Sequence, residues 1–269
     1  MSVKKHPSGD GNVLRFYTMT NAPAKRGHIG AWFVHIYTAF GAVLAFAGAW
    51  GVVHGSDRVA LGAMLAATLV DATDGMLARR ARVKEVLPDI DGARIDDIVD
   101  YITFVFLPLM LLEASGGLPR FAMFPVAAVV LLSSMYGFVS PDAKTSDHFF
   151  TGFPSYWNII VLYLLLFATS PWTNAAVLLV LSALVFVRIG YVYPSRTPTL
   201  RPVTLVFGSL WAVQLAAIIV MWPAPPRWLA IGSLAFPVYY TVLSLVLHFR
   251  RSSAYRRKLQ MMNKGGLLP

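Results

Sequence analysis

Long apolar runs alternate with short polar segments along most of the 269-residue chain. Each run contains roughly 20 residues, the length that an α-helix needs to cross the hydrocarbon core of a bilayer. The runs are continuous and rich in Leu, Ala and Val, whereas strands of membrane barrels are short and alternating. The pattern therefore predicts an all-α integral membrane protein with about eight transmembrane helices. They lie at roughly 29–53, 58–79, 95–113, 119–139, 155–170, 172–192, 203–222 and 228–248.

Composition and charge support this architecture. The chain is 57% hydrophobic and only 13% charged, which is too apolar for an ordinary soluble domain. With the N terminus in the cytoplasm, 19 of the 23 Lys and Arg residues fall on the cytoplasmic side of eight helices, as the positive-inside rule predicts. A net charge of +10 is also typical of nucleic-acid-binding proteins, but here the charges are spread over loop ends. We therefore expect cytoplasmic termini that face membrane lipids, and no nucleic-acid partner.

The polar ends of the chain divide it into three parts. Residues 1–27 are polar and basic, lack the early apolar core of a secretory signal, and are predicted to form a flexible cytoplasmic extension. Residues 28–249 are predicted to form a single multi-helix membrane domain, and residues 250–269 a basic cytoplasmic tail. The sequence contains no cysteine, which excludes disulfides and thiol chemistry.

Acidic side chains are concentrated in one place, because eight of the thirteen Asp and Glu residues lie between positions 71 and 100. Asp71 and Asp74 share a face at the end of the second predicted helix, and Asp96 and Asp100 share a face at the start of the third. A short loop makes these helices an antiparallel pair, which brings the four carboxylates together near the inner membrane surface. A helix dipole could account for acids at the start of a helix, but not for acids near its C terminus.

Four adjacent carboxylates repel one another unless cations neutralise them. A ligand set made only of oxygen atoms favours hard cations such as Mg²⁺, Mn²⁺ or Ca²⁺. Two divalent ions would balance four negative charges, and two-metal sites are suited to phosphoryl transfer. Gly75, Ala78 and Gly92 leave room for a substrate beside the helix backbone. Arg79 and Lys84 offer positive charge to a pyrophosphate.

The acidic segment resembles the signature of the CDP-alcohol phosphotransferases, membrane enzymes that join a CDP-linked donor to an alcohol and release CMP. Eight fixed positions match without substitution: Asp71, Asp74, Gly75, Ala78, Arg79, Gly92, Asp96 and Asp100. The gap before Gly92 is twelve residues, where most members have eight. This longer gap resembles one branch of the family, the bacterial phosphatidylcholine synthases. Five further segments are similar to that branch: 34–46, 81–88, 96–108, 149–161 and 200–205.

The resemblance implies a reaction in which CDP-diacylglycerol and choline give phosphatidylcholine and CMP. The four aspartates would hold two Mn²⁺ or Mg²⁺ ions, and Asp100 would also act as the general base. Residues expected to bind CDP or the lipid substrate are Gly75, Ala78, Arg79, Lys84, Gly92 and Thr38. The enzyme would be a multi-pass protein of the bacterial inner membrane with its active site facing the cytoplasm. Family members are often homodimers, although the sequence establishes no interface.

Choline imposes its own requirement on the acceptor site. Its quaternary ammonium has no N–H to donate and is best held by aromatic faces, with a carboxylate in reserve. The candidates are Tyr101, Tyr156, Trp157, Asn158 and Glu85. Aromatic residues also mark membrane interfaces, and a buried asparagine can simply join two helices, so each candidate also has a structural interpretation.

Three other functions remain compatible with parts of the pattern. The acceptor could be serine, inositol or glycerol phosphate, although a phosphorylated acceptor would call for a basic pocket where this chain is aromatic. The donor could instead be CDP-choline, with diacylglycerol as the acceptor. An ion-coupled transporter would also place carboxylates in the membrane, but its site should lie nearer the midplane and would not need the Asp-Gly-x-x-Ala-Arg pattern.

Overall fold

The computed structural model describes residues 25–264, and their side chains from residue 27 to 253. Within this range the chain is predominantly helical, with one small sheet. The elements, in chain order, are α1 (Lys25–Val53), α2 (Asp57–Arg80), α3 (Val83–Val86), α4 (Gly92–Asp100), a π-helical segment (Tyr101–Phe106), α5 (Leu107–Ala114), α6 (Met123–Val139), β1 (Phe149–Thr151), α7 (Trp157–Leu166), α8 (Pro171–Val185), β2 (Gly190–Val192), α9 (Arg201–Val220), α10 (Arg227–Ser233) and α11 (Ala235–Lys264).

Four helical stretches are long and apolar enough to cross a bilayer: Gly27–Val53, Asp57–Arg80, Arg201–Val220 and Arg227–Ser253. The helices α6, α7 and α8 are also apolar but contain only 10–17 residues. Large apolar side chains are exposed along the outside of the bundle, for example Phe46, Phe124 and Val213. The helical membrane architecture predicted from the hydrophobic pattern is thus confirmed, while the number of eight spans stays a prediction.

The structure differs from the predicted helices in the second half of the chain. The sixth predicted helix was expected to continue to residue 192, but α8 ends at Val185 and the chain then forms β2. β2 pairs antiparallel with β1, with Phe149 opposite Val192. The other edge of β2 is tied to α11, because the N–H of Val192 donates to Ser244 Oγ at 3.0 Å. Contacts with distant residues therefore override the continuous apolar run, which by itself favours a helix.

Close packing by α1 positions the helices that carry the aspartates. α1 packs against α2, α4 and α5. A Cβ atom added to Gly92 of α4 would come within 2.8 Å of the buried His35 ring of α1. A Cβ atom added to Gly48 of α1 would come within 3.2 Å of Ala63 on α2. Glycine at these positions lets α1 approach both helices, and α1 thereby holds α2 and α4 side by side.

The twelve residues between the two halves of the acidic motif form a small folded unit. They contain α3, whose Val83 is buried against Ala31 and Val34 of α1. The unit ends at Asp91, whose carboxylate accepts hydrogen bonds from the N–H groups of Ala93 and Arg94 at 3.2 and 3.3 Å. Asp91 is therefore the N-cap of α4, a common position for aspartate.

The two ends of the predicted domain organisation are only partly described. Residues 1–24 of the N-terminal extension predicted for residues 1–27 lie outside the described residues. At the other end, the backbone of α11 continues as a helix through most of the predicted basic tail, to Lys264.

Candidate active site

Three carboxylates converge between α2 and α4. Asp71 on α2 and Asp96 and Asp100 on α4 each place one oxygen atom within 4.8 Å of those of the other two. All three residues are partly exposed rather than fully buried. The i, i+4 spacing of Asp96 and Asp100 puts both on the face of α4 that meets Asp71.

Asp74 completes the set of four, one turn after Asp71. It is only 6% exposed, and its carboxylate lies within hydrogen-bonding reach of Asp96. The hydroxyl of Thr38 on α1 donates to Asp74 Oδ2 at 2.9 Å. A hydroxyl that donates to a carboxylate fixes its orientation. Thr38 was predicted to bind CDP or the lipid substrate, and in the structure it orients one of the four aspartates.

The chemistry of this cluster fits a divalent cation. The four acidic side chains offer only oxygen atoms, which suits hard divalent ions. Among the described residues, Asp96 Oδ1 is buried and has no hydrogen-bond partner. A buried carboxylate oxygen without a partner is costly, and a bound cation would supply that partner.

The helix that carries Asp96 and Asp100 changes its geometry immediately after the second aspartate. The segment Tyr101–Phe106 is π-helical, and α5 continues from it without a break. Its wider turns alter which side chains face α6. The hydroxyl of Tyr101 donates to the carbonyl of Leu131 on α6 at 3.0 Å. Short π-helical turns are frequent at functional sites, and no periodicity in this apolar stretch indicates one.

The residues expected at the nucleotide lie on or near the same end of α2. A Cβ atom added to Gly75 would be 3.3 Å from Arg79 Nη1, so the guanidinium folds back along α2 beside the aspartate face. Ala78 packs with the cluster formed by α1 and α3. Lys84 is exposed on α3. Gly92 lies in the contact between α4 and α1, where the His35 ring occupies the space that a Cβ atom would need.

The five choline candidates are not brought together. Trp157 is completely buried, and its indole N–H donates to Ser134 Oγ at 2.7 Å. Asn158 donates to Thr68 Oγ1 at 2.8 Å and so links α7 to α2. These two side chains are engaged in packing between helices.

Tyr156 is the aromatic candidate with an electrostatic link to the aspartate cluster. It lies at the N-terminal end of α7, and its phenol is close enough to Asp71 to interact with it electrostatically. Tyr101 instead hydrogen-bonds to α6. Glu85 is exposed on α3 and pairs loosely with Arg82 at 3.8 Å.

Lys144 was missed by the sequence interpretation. It lies in the loop between α6 and β1, where its backbone bridges to Phe150. The pKa of its ammonium group is raised: partial desolvation acts to lower it, but Asp96, Tyr193 and further carboxylates outweigh that effect. The ammonium group thus faces the aspartate cluster. A single cation in a polar loop is too common to have identified it from the sequence.

Curated relatives share most of the chain. A phosphatidylcholine synthase of Legionella pneumophila is 37% identical over 247 residues, which are 88% of this chain and 95% of the relative. One of Legionella bozemanae is 41% identical over 72% of this chain and 90% of its own length. One of Agrobacterium fabrum is 35% identical over 82% and 92%. No family model matches the chain.

Proposed function

The chain belongs to the bacterial phosphatidylcholine synthases, and we propose that it transfers the phosphatidyl group of CDP-diacylglycerol to choline, releasing CMP. Besides the sequence similarity, one structural observation supports this proposal. Carboxylate oxygens of Asp71, Asp96 and Asp100 lie within 4.8 Å of one another. Such a cluster provides the ligand set that phosphoryl transfer requires.

In this proposal the four aspartates hold two divalent ions, Mn²⁺ or Mg²⁺. Bound ions would supply positive charge to the phosphate oxygens and to the departing CMP. Thr38 keeps Asp74 oriented through its hydrogen bond. Gly75, Ala78 and Arg79 border the place of the CDP group, with Lys84 at its outer edge and Gly92 keeping α1 in contact with α4.

Asp100 acts as the general base on the acceptor. Its carboxylate takes the proton from the choline hydroxyl, and the choline oxygen forms a bond to the phosphorus that carries diacylglycerol. The bond between this phosphorus and the oxygen of CMP breaks, and CMP leaves with the electron pair. Asp100 is partly exposed, which is compatible with contact to an acceptor that arrives from water.

We also propose that the protein crosses the bacterial inner membrane eight times, with both termini and the active site on the cytoplasmic side. The distribution of Lys and Arg residues supports this topology. The aspartates lie near the end of α2 that carries Arg79 and Arg80 and is followed by Arg82, and the positive-inside rule predicts that this end faces the cytoplasm. At the cytoplasmic surface of the membrane, a lipid donor and a water-soluble acceptor can meet.

An acceptor panel tests the proposed reaction. Purified protein is incubated with CDP-diacylglycerol, Mn²⁺ and labelled choline, serine, inositol or glycerol phosphate in separate reactions. We expect label from choline alone to enter lipid, with CMP released in equal amount, and no product when the metal is chelated. Lipid labelled from serine but not from choline would overturn the proposal.

A further inference from the structure

We propose that Tyr156 and Tyr240 form the binding site for the trimethylammonium group of choline. The inference rests on the proposed function. It states that two aromatic rings bind the acceptor, choline. Their rings meet at a corner, with centroids 6.3 Å apart and planes inclined at 62°. We call this pair the tyrosine corner.

Tyr156 links the tyrosine corner electrostatically to the aspartates. The phenol of Tyr156 interacts electrostatically with both Asp71 and Tyr240. Asp71 in turn lies within 4.8 Å of Asp100 through their carboxylate oxygens. Choline joins its ammonium to its hydroxyl by only two carbons. We expect a trimethylammonium group at the tyrosine corner to direct the hydroxyl toward the aspartate cluster.

Several contacts hold the Tyr240 ring in place. Its hydroxyl donates to the carbonyl of Val192 on β2 at 2.9 Å. Tyr191 stacks on the Tyr240 ring at 6.5 Å, with the planes inclined at only 19°. β2 is itself tied to α11 through Ser244. A preorganised aromatic site loses little conformational freedom when it binds a cation.

The chemistry of the tyrosine corner matches a quaternary ammonium better than any other acceptor group. Both tyrosine residues are partly exposed. Methyl groups on nitrogen gain from contact with ring faces, and the positive charge gains from the ring quadrupoles and from Asp71. The nearby ammonium of Lys144 is balanced by Asp96, Asp97 and Asp100. A negatively charged acceptor would meet Asp71 and the aromatic faces unfavourably.

The first test needs no variant. Wild-type protein is assayed with choline and with 3,3-dimethyl-1-butanol, the uncharged carbon isostere of choline, as alternative acceptors and as competitors. We expect KM to favour choline by about tenfold or more, because both molecules have the same shape and only one is cationic. Equal use of the two alcohols would overturn the tyrosine corner, whatever happens to any variant.

The second test replaces the rings. Tyr156→Leu and Tyr240→Leu should each raise the choline KM about five- to thirtyfold and leave the KM for CDP-diacylglycerol unchanged. Tyr156→Phe keeps the ring face and should stay within about twofold of wild type. Tyr239→Leu is the matched control and should leave the choline KM unchanged. The ring of Tyr239 packs on Phe207, and its hydroxyl pairs with Thr204.

The outcomes separate this inference from the proposed function. Unchanged choline KM in both Leu variants would overturn the tyrosine corner while the enzyme still makes phosphatidylcholine. A wild-type protein that makes no lipid from choline would overturn the proposed function itself. If the Leu variants elute as aggregates, the comparison of choline with its carbon isostere decides the inference.

Discussion

The aspartate cluster and the tyrosine corner are assembled in different ways. The aspartates come from α2 and α4, which are close in sequence and share a helical spacing that any reader of the chain can see. The two tyrosines come from the start of α7 and from α11, and β2 is hydrogen-bonded to the second of them. Chemistry that resides on neighbouring helices is visible in a sequence pattern, whereas a recognition surface built from distant segments is not.

We also expect the two regions to have separate functions in the reaction. Substitutions in the aspartate cluster should reduce turnover and the response to metal. Substitutions in the tyrosine corner should change the preference for choline. Substitutions in one region should therefore leave the property of the other unchanged.

Asp100→Asn should produce the largest effect. Loss of the general base should lower kcat by about 10²- to 10⁴-fold, while the choice of choline over its carbon isostere persists. The measurement is initial-rate kinetics with both acceptors. Asp91→Asn is the control, since it removes the same charge from the exposed N-cap, where asparagine caps equally well, and should retain activity. Wild-type turnover by the Asp100 variant would remove this residue as the base.

Thr38→Val should have a smaller effect, confined to the metal response. Without the hydroxyl, Asp74 loses its 2.9 Å hydrogen bond, and the Mn²⁺ concentration for half-maximal activity should rise about 10- to 100-fold. The choline KM at saturating metal should not change. Thr38→Ser keeps the hydroxyl and should behave as wild type. An unaltered metal titration of the Val variant would show that Thr38 does not position Asp74.

Gly92→Ala tests the packing beneath the aspartate cluster. The added Cβ would come within 2.8 Å of the buried His35 ring, so we expect a loss of about 1–3 kcal/mol of stability, seen as a lower melting temperature in detergent. Gly62→Ala in α2 meets no atom within 4 Å and should leave the protein equally or more stable. Equal melting shifts in the two variants would argue against close contact of α1 with α4.

Glu85→Gln should have the smallest effect. The side chain is exposed and pairs with Arg82 at 3.8 Å, and such surface pairs contribute little. The choline KM should therefore change by less than about twofold, which steady-state assays can resolve. A tenfold rise would instead place this carboxylate in the acceptor site and weaken the case for the tyrosine corner.

Part of the fold and of the site could be predicted because the signal was local. Apolar runs predicted the helices, and i, i+3 and i, i+4 spacings predicted which acids meet. The strands β1 and β2 could not be predicted, since each has three residues and depends on contacts with each other and with α11. Tyr156 and Trp157 are adjacent, but Tyr156 precedes α7 and interacts electrostatically with Asp71, whereas Trp157 begins α7 and is buried. The indole of Trp157 donates to Ser134 on α6, a contact between distant residues that the sequence does not reveal.

Anomalous diffraction from crystals grown with Mn²⁺ would test the central claim most directly, because it shows where metal binds without reference to turnover. The account predicts two manganese peaks within coordination distance of the cluster formed by Asp71, Asp74, Asp96 and Asp100, and their loss from this place in Asp96→Asn. Manganese bound elsewhere in an active protein, with no peak at these aspartates, would contradict it.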